Sequence, residues 1–201
     1  QACNALGQTA DYAFLREDTP VLLGESCEGL ERVKRIVKDL RDFSHVDNGE
    51  WQFADLHQGL DSTLNVIWNE VKFKAQVVKQ YGELPPVQCI ASQINQVFLN
   101  LIVNAAQAIV QHGTITLRTG TLGENVFVEI EDDGPGVPEH LMRRIFEPFF
   151  TTKPVGKGTG LGLSVSYNII ERHHGVLSVS TPPNGGACFR IVLPTRQPVE
   201  S

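Results

Sequence analysis

The sequence predicts an α+β fold of two layers, in which a mixed sheet carries helices on one face and a long amphipathic helix precedes the sandwich. Two observations support this expectation. Apolar residues recur every three or four positions in several long segments, whereas apolar and polar residues alternate in shorter ones. Glycine, proline and aspartate separate these segments, so helices and strands are expected to follow one another along the chain.

The first helical segment is predicted to run from about residue 20 to residue 43. Thr19 is expected to cap this helix and Pro20 to occupy its first position. Leu23 and Leu30 belong to an apolar stripe, and charged residues fill the opposite face. Such a stripe needs a partner, either within its own domain or in a helical hairpin or dimer. The turn residues that follow the helix favour the hairpin or dimer.

The remaining segments are predicted to build the sandwich, which we place at residues 48–201, after a separate helical part at residues 1–47. Its helices are expected at residues 56–74, 91–111 and 161–173, with a short one at 138–146. Its strands are expected at residues 77–81, in a hairpin of 114–119 with 126–131, and in a final hairpin of 176–180 with 187–193.

The composition argues against several classes of function. The 201 residues carry a formal net charge of −6, whereas proteins that bind nucleic acid usually present a basic surface. The four cysteines are scattered, so we expect neither a disulfide framework nor a zinc site, and a reducing, cytoplasmic compartment fits them best. Amide side chains interrupt the most apolar stretch, 97–110, so this chain is not expected to contact a membrane.

Because the chain begins with Gln1 rather than Met, we interpret it as part of a longer protein, with or without a membrane anchor.

A glycine-rich loop at residues 151–164 gives the strongest chemical signal. Four glycines alternate with other residues up to Gly162, and an apolar helical pattern starts at Leu161. Glycines at this density let the backbone approach a ligand, and a helix N-terminus behind them favours an anion. Lys153 and Lys157 place positive charge in the same loop. The loop therefore predicts a phosphate-binding site, although a flexible linker would have the same composition.

Two asparagines mark the helix at residues 91–111. Asn100 and Asn104 are four positions apart, so they share one face of that helix. Amides within an otherwise apolar helix are costly if they are buried without partners. An amide oxygen suits Mg²⁺, which usually keeps several waters and binds phosphate oxygens alongside. The pair predicts either a magnesium site or two side chains that hydrogen-bond to a neighbouring loop.

Two further motifs lie between the asparagines and the glycine-rich loop. Asp132 closes a predicted strand, where its carboxylate could accept a hydrogen bond from an amine such as that of adenine. Gly134 and Gly136 permit a sharp turn directly after it, although an ordinary acidic turn has the same composition. Aromatic residues cluster at 146–150 and could anchor the base of a mobile lid or simply belong to the core.

Taken together, these four motifs resemble the histidine-kinase branch of the Bergerat-fold (GHKL) ATPases, which gyrase, Hsp90 and MutL share more distantly. Residues 100–105 match the N box and residues 132–136 match the first glycine box. Residues 146–149 match the F box, and residues 158–163 match the second glycine box. The resemblance covers about residues 55–195 and identifies the sandwich as a catalytic ATP-binding domain.

The resemblance implies that the domain binds ATP together with Mg²⁺. Asp132 would then bind the adenine amine, and Gly134 and Gly136 would shape the pocket around it. Asn104 would coordinate Mg²⁺ between the phosphates, and Asn100 would assist through a phosphate or a metal-bound water. Each of these roles is an expectation carried over from the family to the matching residue.

A lid over the nucleotide is implied for residues 151–160. Lys153 and Lys157 would offset the charge of the γ-phosphate, so these lysines and the two N-box asparagines are the residues expected to act in catalysis. The other residues expected to contact the nucleotide are Phe149, Thr151, Thr152, Gly158, Thr159, Gly160, Leu161 and Gly162.

The helix at 20–43 looks like the second helix of the dimerisation and phosphotransfer hairpin of these kinases. None of the six histidines has the sequence context of a phosphoacceptor, so we expect that histidine on a helix outside this chain. The resemblance then implies an ATP-dependent protein-histidine kinase that cannot autophosphorylate as this fragment alone. It also implies a homodimer through the hairpin and relay of the phosphoryl group to a response regulator receiver domain.

Two departures and two alternatives accompany this interpretation. Asn100 occupies the position where gyrase and Hsp90 place a Glu general base, and a carboxamide cannot take a proton from water, so slow ATP hydrolysis is expected. Ala108 replaces the Lys, Arg or Tyr that often follows the N box, which gives the lid lysines more importance.

The alternatives are a Ser/Thr-directed or anti-sigma kinase of the same fold and a nucleotide-binding pseudokinase scaffold that acts through protein contacts.

Overall fold

The computed structural model describes residue 16 and residues 18–27, 29–30, 33–34, 49–154 and 158–198. Residues 18–27 are helical, so an amphipathic helix does precede the sandwich, but most of its predicted second half lies outside the described residues. Asp18 and Thr19 are both within the helix, so the prediction that Thr19 caps it is wrong. The helix has already begun before Pro20, which therefore lies in its interior.

Within the described segments, no helix combines the length and the apolar character needed to cross a membrane.

The sandwich contains a mixed sheet. The strands of the described chain are β1 (Gln52–Ala54), β2 (Ala75–Tyr81), β3 (Val87–Cys89), β4 (Gly113–Leu122), β5 (Asn125–Asp132), β6 (Val176–Ser180) and β7 (Ala187–Pro194). Five of these described strands form the main sheet, in the order β2-β4-β5-β7-β6. β2 runs parallel to β4 and the other neighbours are antiparallel, whereas β1 and β3 form a separate antiparallel pair.

Three helices in the described part of the sandwich cover one face of this sheet: α1 (Leu56–Val71), α2 (Ala91–Ala108) and α3 (Gly162–Arg172). α2 contacts both α1 and α3 and packs over β5. Leu60, Phe98 and Ile170 from the three helices are fully buried, as is Ile130 from β5, because the apolar faces of helices and strands exclude water together. The predicted two-layer α+β sandwich is therefore confirmed.

The other face of the sheet carries charged side chains of β4, β5 and β7, which alternate along each strand with the buried ones. Arg118 on β4 lies 2.6 Å from Glu131 on β5, and Arg190 on β7 lies 3.5 Å from Glu129. These ion pairs cross from strand to strand on the side opposite the helices. The helical face is consequently where α2 and the segments around it can form a concave site.

The structure differs from the predicted elements in three places. β1 and β3 were not predicted, because strands of three residues are too short to show an alternation. The single short helix expected at 138–146 is instead two turns of 3-10 helix, at Glu139–Leu141 and Arg144–Phe146. Their bonds join residues three apart, and Pro148 follows directly and stops a longer helix.

A buried histidine joins α3 to the entry of α2. The side chain of His173 is fully buried, and its Nε2 accepts a hydrogen bond of 3.0 Å from the backbone N–H of Ile90. Its Nδ1 lies 2.7 Å from the carbonyl oxygen of Ile169, to which it donates, so the ring is neutral with its proton on Nδ1. Burial lowers the pKa of His173, and Trp51 covers the ring at 4.8 Å between centroids.

The neutral His173 predicts that the domain loses stability in mild acid. The folded pKa is below the unfolded value of about 6.5, so the contribution is complete above that pH and is lost as the pH falls toward the folded pKa. Each pH unit between the two pKa values removes about 1.4 kcal/mol from the free energy of unfolding. Urea unfolding at about pH 7.5 and about pH 5.5 measures this loss, and His173→Gln should show a smaller one. Equal losses in the two proteins would contradict the assignment.

Candidate functional site

Asn100 connects the middle of α2 to the first turn of α3. Its Nδ2 donates to the carbonyl oxygen of Gly162 at 3.1 Å and to Oγ of Ser166 at 3.2 Å. A Cβ added at Gly162 would lie 3.7 Å from Cγ of Asn100, which is ordinary contact, so this glycine is not sterically required. Asn100 therefore fixes the start of α3 against α2.

Asn104 accepts a hydrogen bond from a lysine of the glycine-rich loop. Nζ of Lys153 lies 3.0 Å from Oδ1 of Asn104 and 2.5 Å from Oε1 of Gln107, one turn further along α2. Burial lowers the pKa of Lys153 from its ordinary value. The amide oxygen of Asn104 thus faces the ammonium group of Lys153.

The N-terminus of α3 is open to an acceptor. Its N-cap residue, Leu161, has no side chain that could accept a hydrogen bond from the first amide groups of the helix. Gly160 just before it has φ +69°, and a Cβ there would lie 2.6 Å from the carbonyl oxygen of Phe149. Only glycine fits at that position, so the chain runs close to Phe149 just before α3. A helix N-terminus without a side-chain cap favours an anion.

Phe149, just before the glycine-rich loop, touches Gly160 within it. Phe149 has φ +66°, a left-handed conformation that a residue with a side chain rarely adopts, and its backbone contacts Gly160. Phe146 packs on Tyr167 of α3 at 5.6 Å between ring centroids, and Phe150 lies under the guanidinium of Arg144. The aromatic cluster therefore anchors the base of the loop, whereas the side chain of Phe149 itself is 65% exposed.

Asp132 lies in a tight turn at the end of β5. Its side chain is only 3% exposed, and Oδ1 accepts a hydrogen bond of 2.9 Å from the backbone N–H of Gly134. Burial raises the pKa of Asp132, and hydrogen bonds from the amides of Gly134 and Ala187 oppose that effect. A Cβ at Gly134 would lie 2.8 Å from Oδ1 of Asp132 and 3.2 Å from Cβ of Ala108 at the end of α2. The turn is thus packed between the carboxylate and α2.

Gly136 and Gly186 complete this turn, and Gly186 lies outside the four motifs. Gly136 has φ +76°, and a Cβ there would lie 2.6 Å from the carbonyl oxygen of Gly186, which precedes β7. Gly186 itself has φ +82°, and its Cα lies against the backbone of Asp132 so closely that a Cβ would overlap it. Sequence reasoning placed Gly186 only in a hairpin turn, because its role depends on the pairing of β5 with β7.

A cavity of about 640 Å³ collects most of the predicted residues. It lies between α1, α2 and the glycine-rich loop, and its size is typical of ligand sites. The predicted residues that line it are Asn100, Asn104, Thr151, Thr152, Lys153, Gly158, Thr159, Gly160 and Gly162. The predicted residues that do not line it are Asp132, Gly134, Gly136, Phe149 and Leu161, and Lys157 lies outside the described residues.

Leu161 was predicted to contact the nucleotide. It is buried in the core rather than exposed to the cavity, because its apolar side chain holds the start of α3.

Several lining residues were not predicted. Gln107 was missed although its spacing of three from Asn104 already placed it on the same face of α2. Glu70 and its neighbours on α1 had no sequence signal, since their position depends on how α1 packs beside α2.

The comparisons with known proteins agree with this geometry. Residues 89–197 match a family model described as "Histidine kinase-, DNA gyrase B-, and HSP90-like ATPase". The match covers more than half of the chain and includes Asn100, Asn104, Asp132 and the glycine-rich loop. The chain belongs to this family. Within the ATPase family, the expected membership in the histidine-kinase branch is confirmed by its relatives.

Several relatives of this chain are named as histidine kinases. The chain is 33% identical to the signal transduction histidine-protein kinase AtoS of Escherichia coli strain K12 over 168 residues, which are 82% of this chain and 27% of AtoS. The catalytic domain of histidine kinase ThkA has a TM-score of 0.67 at 31% identity, over 73% of this chain and 97% of that domain. ThkA in complex with response regulator protein TrrA has a TM-score of 0.70 at 28% identity, over 83% of this chain and 48% of ThkA. The chain thus spans about a quarter of AtoS.

Proposed function

We propose that this chain is the ATP-binding catalytic region of a sensor histidine kinase, which binds Mg-ATP and transfers the γ-phosphate to a histidine on a helix not contained in the chain. The observation that carries the proposal is the contact between Asn104 and Lys153. A cation already stands at the amide oxygen expected to bind magnesium, inside a cavity bounded by the glycine-rich loop. Family membership supports ATP as the nucleotide.

The residues of the cavity fit magnesium and a polyphosphate. Oδ1 of Asn104 is a hard oxygen ligand of the kind that Mg²⁺ accepts, and the ammonium of Lys153 serves as a stand-in for that ion. The uncapped N-terminus of α3 supplies amide N–H groups and the positive end of the helix dipole. Bound magnesium would neutralise charge on the transferring phosphoryl group, which is the main requirement of this chemistry.

Asp132 is proposed to select adenine. Its buried carboxylate is held in place by the amide of Gly134, so it can accept from an exocyclic amine without losing its orientation. The glycines of the turn, Gly134 and Gly136, let the backbone pack closely around the carboxylate, where a side chain would collide with Asp132 or Gly186. A purine without that amine would lose a hydrogen bond to a buried acceptor, which is a costly loss.

Asn100 is proposed to favour transfer over hydrolysis. It occupies the place of a general base but presents an amide that donates to Gly162 and Ser166. A positioned general base contributes about 10²–10⁴-fold to a rate. We therefore expect this chain to hydrolyse ATP about a hundredfold or more slowly than a dedicated ATPase of the family. A coupled phosphate-release assay measures it, and fast hydrolysis that Asn100→Ala abolishes would contradict the kinase assignment.

The phosphoacceptor and the partners are proposed to come from other segments or proteins. His173 is buried and serves the fold, so it is not available to a phosphoryl donor. His45, the histidine at the end of the predicted first helix, lies outside the described residues. The solved complex of ThkA with TrrA supports a receiver domain as the next acceptor, and we propose a homodimer through the helical hairpin in the intact, cytoplasmically facing kinase.

Phosphotransfer in trans tests this function. The chain is incubated with radiolabelled Mg-ATP, with and without a separate hairpin that carries a phosphoacceptor histidine. Acid-labile label is expected on the hairpin and none on this chain, because positioning of the acceptor supplies much of the rate. A hairpin with that histidine changed to Gln is the control. Label on neither protein, despite saturable ATP binding, would favour the pseudokinase scaffold.

A further inference from the structure

Three side chains meet at the end of the cavity nearest the C-terminus of α2. Nζ of Lys153 lies between Oδ1 of Asn104 at 3.0 Å and Oε1 of Gln107 at 2.5 Å. The two acceptors are one helical turn apart on α2, so they form a short row on the same face. Lys153 is thus held by two neutral oxygens, one of which is the proposed magnesium ligand.

Magnesium and the ammonium group of Lys153 would compete for Oδ1 of Asn104. Mg²⁺ binds oxygen at about 2.0–2.1 Å and demands near-octahedral surroundings. An ammonium group 3.0 Å from the same oxygen would lie within a few ångströms of the ion, and the two positive charges would repel each other. Binding of magnesium therefore requires that Lys153 leave Asn104, whereas its hydrogen bond to Gln107 is compatible with the ion.

We propose that Gln107 is a positioning residue that receives the ammonium group of Lys153 when Mg²⁺ displaces it from Asn104. Gln107 thereby keeps Lys153 in the cavity, beside the phosphates. The inference rests on the proposed function, since it takes Asn104 as the metal ligand. It assigns a role to a residue that neither the four motifs nor the comparisons single out.

The chemistry of the cavity favours this assignment. Among the described residues that line it, Lys153 is the one cation, and α2 contributes the neutral Gln107. The neutral amide of Gln107 already accepts a hydrogen bond from the ammonium group. A carboxylate at position 107 would bind both cations and would not separate them. Gln107 therefore suits the transfer of Lys153 from one acceptor to the other.

The test compares nucleotide affinity with and without magnesium in the full 201-residue chain. A fluorescent ATP analogue is titrated in both conditions, and the ratio of the two dissociation constants gives the magnesium enhancement. Gln107→Leu should lower this ratio about three- to tenfold, because the displaced ammonium then has no acceptor. Lys153→Met should raise it, since no cation must be displaced. The double variant should match Lys153→Met.

Gln96→Leu is the matched control, since it makes the same change on α2 but lines a different cavity. Its enhancement should equal that of the wild type. Circular dichroism checks that each variant is folded. An unchanged ratio in Gln107→Leu, or an effect of Gln107→Leu that persists with Lys153→Met, would overturn the inference. A wild type that binds no nucleotide, or binds it without regard to magnesium, would instead overturn the proposed function on which the inference depends.

Discussion

Changing Asp132 to Asn is expected to weaken ATP binding at least tenfold, a loss of about 1.4 kcal/mol. The carboxylate is 3% exposed and oriented by the amide of Gly134. If it is changed, a water molecule cannot take its place as the hydrogen-bond acceptor for adenine. An asparagine presents one oxygen and one donor nitrogen, and it must either lose the bond to Gly134 or turn its donor toward the adenine amine. Titration with a fluorescent ATP analogue measures the change.

A second nucleotide and a neighbouring residue provide the controls for Asp132. Inosine triphosphate lacks the exocyclic amine, so the wild type should bind it more weakly than ATP, and Asp132→Asn should hardly alter that affinity. Glu131→Gln makes the same kind of change one residue earlier, on the opposite face of β5, where Glu131 pairs with Arg118. Its affinity for ATP should equal that of the wild type. An Asp132→Asn variant that binds ATP normally would refute the adenine site.

Changing Asn104 to Ala is expected to remove the strengthening of ATP binding by magnesium and to reduce phosphotransfer by about a hundredfold. The amide oxygen that now faces Lys153 is lost, and no carboxylate among the cavity's described residues except Glu70 on α1 could replace it. Titrations with and without Mg²⁺, together with the transfer assay in trans, measure both effects. A pseudokinase scaffold would tolerate the change.

Asn95→Ala is the matched control for Asn104→Ala. Asn95 is also an asparagine of α2, but it faces Gly59 of α1 and lines other cavities. Truncating it should leave the response to magnesium intact, since it does not line the cavity that contains Lys153. If Asn95→Ala and Asn104→Ala lowered phosphotransfer equally, the loss would reflect damage to α2 rather than loss of a metal ligand.

The sequence predicts those parts of the fold and site that depend on local spacing. Asn100 and Asn104 lie on one face of α2 because four residues make about one turn, and the structure brings that face to the glycine-rich loop. Asp132 closes β5 at the position where the alternation stops. The long elements could be predicted for the same reason, since several periods of a pattern fall within each of them.

The features that were missed depend on contacts between distant segments. Nothing in the sequence indicates that Lys153 reaches both Asn104 and Gln107, because that depends on where the loop lies over α2. Gly186 shapes the turn of Asp132 only because β7 pairs with β5. The predicted division between residues 1–47 and 48–201 and the position of Lys157 stay predictions, because they involve residues outside the described segments.

Because Phe149 contacts Gly160, the length of the segment between them has little effect on the stability of the domain. With both ends held by the folded body, an insertion that leaves the hydrogen bonds of Lys153 to α2 in place adds mainly the entropy of a longer closed chain, and doubling the number of residues costs about 0.6 kcal/mol. The free energy of unfolding of the domain would change little. Related enzymes could therefore diversify this segment, and a protein engineer could insert a reporter there, without having to restabilise the rest of the domain.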